Sequence, residues 1–84
     1  MTERIAAAAK GRRVVGAKQV LRAIASGEAL EAYLASDADP FVKRPIREAC
    51  ERAGVPLFEA GDMEALGRAC GIAVGAAAAA LRRE

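Results

Sequence analysis

The sequence predicts an α/β protein: a three-layer α/β/α sandwich around a mixed sheet of about four strands. Two observations carry that class. Glycines at 11, 16, 27, 54, 61, 71 and 75 cut the chain into pieces of helix or strand length, and helix-like pieces alternate with strand-like ones. The core, moreover, has to be thin. Hydrophobic residues are 54% of the chain, but 22 of the 84 residues are Ala and the only aromatics are Tyr33, Phe41 and Phe58. Eighty-four residues make one domain, residues 1–84, with no room for a second core.

Thr2 is placed to cap a short helix ending near Lys10, with Gly11 just past its end. Residues 12–15 lean towards strand. Gly16 opens a helix that runs to about Ser26 and stops at Gly27. At about 100° per residue, Ala17, Val20, Leu21 and Ile24 share one arc of it, while Lys18, Gln19 and Arg22 share the opposite arc. Residues 29–36 read as a strand around Tyr33 and Leu34, and Asp37, Asp39 and Pro40 supply turn chemistry. A helix is expected over residues 45–53, with Pro45 in its first position, because an interior Pro breaks the hydrogen-bond ladder. Residues 55–59 form a strand. Asp62 then caps a helix through Cys70, with Leu66 and Cys70 inward and Gly71 after its end.

Residues 75–81 set propensity against topology. Five consecutive alanines favour a helix. The preceding alternation, however, leaves the sheet without a partner strand, and a central strand between two helical layers suits small side chains. A strand is expected here.

The composition also excludes chemistry. The chain has no His, and its only serines are Ser26 and Ser36. Ser–His triads, His-assisted thiols and His-ligated zinc are therefore excluded, and no nucleophile–base pair is left for an enzyme. No cofactor, metal or small-molecule substrate is expected. Cys50 and Cys70 lie on apolar helix stripes and read as core thiols in a reducing compartment. Asp37 and Asp39 read as turn and capping groups rather than an acid–base pair. With no apolar run of 18 residues and no leader-like start, the expectation is a cytoplasmic monomer without membrane partners.

Net charge is +2, but it is unevenly spread: residues 1–22 carry +5, residues 23–64 carry −5 and residues 65–84 carry +2. A positive pole on an acidic body points to an anionic partner. Arg12, Arg13, Arg82 and Arg83 belong to that charge, but the sequence does not orient them.

Three motifs in order resemble the ribosomal protein L-seven-Ae family, and in particular its small bacterial YbxF/YlxQ-type members. They are Gly16-Ala17-Lys18-Gln19-Val20-Leu21-Arg22-Ala23, then Ser36-Asp37-Ala38-Asp39-Pro40, then Leu66-Gly67-Arg68-Ala69-Cys70-Gly71-Ile72-Ala73-Val74-Gly75. The resemblance covers residues 12–82 without an insertion. It implies an RNA-binding protein that recognises kink-turns, in which sheared G·A pairs lie beside a bulge, in ribosomal or other structured RNA. Carried over by position, the RNA-binding residues are Gly16, Lys18, Gln19 and Arg22 at a helix start, with Ile72, Ala73 and Val74 as an apolar loop covering flipped bases. Archaeal members carry Asn-Glu where this chain has Lys18-Gln19, so the RNA preferred is expected to differ. The alternative on the same fold is a protein-interaction scaffold with little RNA binding.

The chemistry of these residues suits the implied role. Duplex RNA hides its base edges in a deep, narrow groove, so specific proteins read bulges and irregular pairs. Gly lets backbone amides approach a phosphate closely. Lys18 and Arg22, one turn apart, supply charge, and Gln19 offers both a donor and an acceptor to a base edge.

Overall fold

The computed structural model describes residues 2–83. Along the chain lie α1 (Glu3–Ala7), a 3₁₀ turn (Lys10–Arg12), β1 (Arg13–Val15), α2 (Ala17–Ala25), β2 (Ala29–Leu34), α3 (Pro40–Ala53), β3 (Leu57–Glu59), α4 (Met63–Ala69) and β4 (Ala78–Arg82). The four strands lie in the order β1-β4-β2-β3. β4 runs antiparallel to both of its neighbours, and β2 and β3 pair in parallel. The expected mixed sheet of four strands is the observed one.

The alanine run is a strand, as topology required against propensity. Ala78, Ala79 and Ala80 are wholly buried in the second position of the sheet, and alternate residues feed the two faces. Val14, Leu34, Ala78 and Ala80 join Val20, Ile24, Ile46 and Cys50 in one core layer, under α2 and α3. Tyr33, Ala79 and Leu81 join Ile5, Leu66 and Cys70 in the other, under α1 and α4. Methyl-sized side chains in the central strand let both helical layers close onto it, and this stands in for the missing aromatic bulk. The strand itself begins at Ala78, three residues later than expected.

Two expectations need correction. Pro45 is not the first residue of its helix. α3 begins at Pro40, capped by Asp39, whose carboxylate accepts from the Phe41 amide at 2.8 Å. Pro45 lies inside that helix and has no N–H for the Phe41 carbonyl; this is tolerated where the turn faces water. The first helix is also shorter than expected, because α1 ends at Ala7 and Gly11 falls within the 3₁₀ turn instead of terminating a helix. Thr2 occupies the cap position, but its side chain makes no capping hydrogen bond. The other stops fall as expected: Gly27 and Gly71 follow α2 and α4 with φ of 78° and 77°.

Candidate functional site

The sheet brings three helix starts and one loop to a single end. β1, β2 and β3 all finish there and β4 begins there, since Leu34 pairs with both Glu59 and Ala78, and Val15 pairs with Ala79. The segments beyond the strands are stitched together by backbone. Gly16 N–H donates to Ala78 O at 3.0 Å, Ala35 N–H to Ala77 O at 2.9 Å, Ser36 N–H to Gly61 O at 2.7 Å and Ala76 N–H to Met63 O at 2.9 Å. Asp37 accepts from the Met63 amide and Asp62 from the Ala65 amide, each at 2.8 Å. The aspartates of this rim are therefore structural caps.

At the start of α2, Gly16 has φ 103° and ψ 144°, a conformation that L side chains rarely adopt. Its N–H is used by the sheet and its carbonyl accepts from Val20 N–H at 2.9 Å. No side chain caps this helix. The amides of the first turn, residues 17–19, therefore have no side-chain acceptor, and donors left in this way at a helix start are chemically suited to an anion. Gln19 folds back over Gly16: a Cβ there would lie 2.8 Å from Gln19 Oε1. Glycine at 16 thus sets both the backbone turn and the position of the Gln19 amide.

Lys18, Gln19 and Arg22 are exposed, and among the described residues none of them makes an ion pair. Val20, Ala23 and Ile24 on the other side are buried, while Ala17 and Leu21 pack partly against them. Gln19 and Arg22 line a groove of about 460 Å³ with Val14, Val15, Glu28 and Arg82.

The second group of residues is the loop between α4 and β4. Val74 is 72% exposed and Ile72 36%, with Ala73 exposed between them. The loop is held by its anchors rather than by its own side chains. Ile72 N–H donates to Gly67 O at 3.0 Å, and Ala76 N–H to Met63 O. Gly67, inside α4, lies so close to the loop that a Cβ there would run into the Val74 carbonyl and lie 3.0 Å from Gly75 Cα. Sequence reading quoted Gly67 within a motif without seeing this role.

The four arginines left open by the sequence are all engaged internally. Arg13 is a staple: its guanidinium donates to Ile5 O at 2.9 Å, Ala6 O at 2.6 Å and Cys70 O at 3.1 Å, so one side chain serves the last carbonyls of both α1 and α4. Arg12 donates to Arg82 O and Arg83 to Gly27 O, each at 3.1 Å, and Arg82 pairs with Glu28 at 3.2 Å. Sequence reasoning also passed over Glu31, a buried carboxylate. It pairs with Arg4 at 2.5 Å and accepts from the Tyr33 hydroxyl. Burial first, and then that hydrogen bond, push the Tyr33 hydroxyl far above the ordinary tyrosine range. Burial likewise raises the Cys50 and Cys70 thiols, which suits core packing and not nucleophilic work. Among the described residues no cluster of His, Cys, Asp or Glu could hold a metal, and no helix is long and apolar enough to cross a membrane.

Comparisons with known proteins agree with this architecture. The family model described as "Ribosomal protein L7Ae/L30e/S12e/Gadd45 family" matches residues 1–84. An RNA-binding protein of Geobacillus sp. (strain WCH70) is 48% identical over 73 residues, covering 87% of this chain and 89% of that one. The RNA-binding protein YbxF of Geobacillus stearothermophilus is 44% identical over the same coverage. Among solved structures, the Giardia lamblia 15.5kD RNA binding protein superposes with a TM-score of 0.81 at 30% identity, covering 99% of this chain and 68% of that one. The chain therefore belongs to the ribosomal protein L7Ae/L30e/S12e/Gadd45 family.

Proposed function

We propose that this protein binds RNA and recognises kink-turns in ribosomal or other structured RNA, stabilising the kinked form as a monomer. One observation carries the reading most directly. The uncapped start of α2, with Gly16, Lys18, Gln19 and Arg22, and the exposed apolar loop of Ile72, Ala73 and Val74 stand at the same end of one sheet. A polar reader with positive charge beside an apolar cover matches an RNA irregularity, where exposed base edges lie next to unstacked bases. RNA binding by relatives 44–48% identical over most of their length supports the same reading.

Each residue has a task in it. The amides of residues 17–19 and the charges of Lys18 and Arg22 receive phosphates. Gln19, positioned over Gly16, reads base edges at the sheared G·A pairs with its donor and acceptor. Ile72 and Val74 cover a flipped base without reading its identity. Nothing in this requires bond-making chemistry, and the function is binding.

The test is a titration of the full chain with a kink-turn RNA and with the same RNA carrying Watson–Crick pairs in place of the sheared G·A pairs. Preferential binding of the first by tenfold or more supports the reading. Equal binding of both RNAs overturns kink-turn recognition and leaves RNA binding without it, and binding of neither gives the lead to a protein-interaction scaffold.

A further inference from the structure

We propose that Phe41 and Arg44 form a separate RNA contact, a platform on which an unpaired base beside the kink stacks. The inference deepens the RNA-binding reading and rests on it, but it uses residues outside the set that reads the G·A pairs. Phe41 is the most exposed large apolar side chain among the described residues, at 89%. A small domain with only three aromatics leaves one almost entirely in water, while Tyr33 and Phe58 pack together with ring centroids 5.9 Å apart. Phe41 does no packing that would account for it.

Its position is informative. α2 and α3 cover the same face of the sheet and both start at the rim, so Phe41 stands one helix away from Lys18 and Gln19. At about 100° per residue, Phe41 and Arg52 fall within roughly 20° of each other around α3. Arg52 lines the groove between α3 and α2, together with Leu21 and Ile24. The Phe41 ring thus leaves α3 on the flank turned towards α2, on the side of the reading helix. Pro40, Phe41, Arg44 and Pro45 enclose a shallow crevice of about 220 Å³.

The charges permit an RNA there. Asp39 accepts from the Phe41 amide and Asp37 from the Met63 amide, Arg47 pairs with Glu59 at 3.3 Å, and exposed Glu48 lies one turn beyond Arg44, so the positive charge left at the crevice is that of Arg44. Among the described residues Arg44 makes no ion pair, and it lines the same crevice as the ring. An aromatic face with an adjacent guanidinium is the arrangement that holds an unstacked base by stacking and its phosphate by charge. Pro40 and Pro45 stiffen the two turns that carry the ring.

The test uses the full chain, its Phe41→Ala, Phe41→Tyr and Gln19→Ala variants, and kink-turn RNAs with the fluorescent base 2-aminopurine at each unpaired position in turn. Phe41→Ala is expected to weaken binding about 5- to 150-fold, the range of one base–aromatic stacking contact, and to abolish quenching at one unpaired position. Phe41→Tyr should retain both. Unchanged affinity and quenching in Phe41→Ala, with Gln19→Ala impaired, overturns the platform and leaves the proposed function standing. Where wild type binds no kink-turn, a single-stranded oligouridine becomes the probe: binding lost in Phe41→Ala retains the platform, and absent or unaltered binding overturns it. Concentration-dependent self-association in sedimentation, abolished by Phe41→Ala, overturns it as well, because the ring then serves a second copy of the chain.

Discussion

At the scale of single residues, Gly16 has the most to lose. Any side chain there is held at a φ of 103°, and the end of the flexible Gln19 side chain, 2.8 Å from its Cβ, has to move aside. Gly16→Ala should therefore cost about 1–3 kcal/mol of stability in denaturant titration, the usual cost of holding a residue in a sparsely populated conformation. It should also weaken RNA binding beyond that loss of stability, since Gln19 is displaced. Arg22→Ala makes a useful contrast. Its side chain is exposed and, among the described residues, makes no ion pair, so stability should move by less than about 0.5 kcal/mol. Binding should fall evenly for kinked and control RNAs, because phosphate contacts carry no sequence information. A preferential loss for the kinked RNA would assign base reading to Arg22.

At the scale of elements, the loop of residues 72–74 depends on a helix. Ala in place of a helical Gly ordinarily stabilises by about 1 kcal/mol. Gly67→Ala should do the reverse, because its methyl group meets the Val74 carbonyl and Gly75. A lower Tm and altered loop amide shifts in NMR are the expected outcome; a higher Tm would mean that the loop moves aside freely. The element scale also shows what was legible in the sequence. The alternation of segments, the strand made of alanines and the polar arc of α2 were all readable, because periodicity and topology both constrain them. The start of α3 was not. Two prolines each fit a first helical position, and only the hydrogen bond from the Phe41 amide to Asp39 decides for Pro40. Nor was the internal use of Arg12, Arg13, Arg82 and Arg83 readable, because their partners lie up to 70 residues away in the chain. The meeting of the α2 start with the loop follows from the sheet order β1-β4-β2-β3, which puts the last strand beside the first. Periodicity carries no such information.

At the scale of the molecule, stability should fall in alkali. Tyr33 ionises far more reluctantly in the fold than in the unfolded chain, chiefly through burial and then through its bond to Glu31. Cys50 and Cys70 are raised by burial in the same way. For groups raised in this sense the folded state holds protons that the unfolded chain has released, so their contribution is complete below the unfolded values, near 8.5 for Cys and 10 for Tyr. It is lost as pH climbs above them. Chemical denaturation should thus give a plateau around neutral pH and a decline beginning near pH 9; a flat profile to pH 11 would remove Tyr33 and both thiols from the account. Electrostatics at this scale also predicts the salt response. With four arginines engaged internally, about two or three phosphate contacts remain, giving a slope of about −2 to −3 in log affinity against log salt.

The central claim, that the start of α2 reads the G·A pairs through Gln19, is tested most directly by a double-mutant cycle. Wild type and Gln19→Ala are each titrated by calorimetry against the kink-turn and against its Watson–Crick replacement. The account predicts that Gln19→Ala costs about 1–3 kcal/mol on the kink-turn, the worth of a good base-edge contact, and close to nothing on the replaced RNA. Equal losses on both RNAs, or no loss on either with the variant folded, would contradict it.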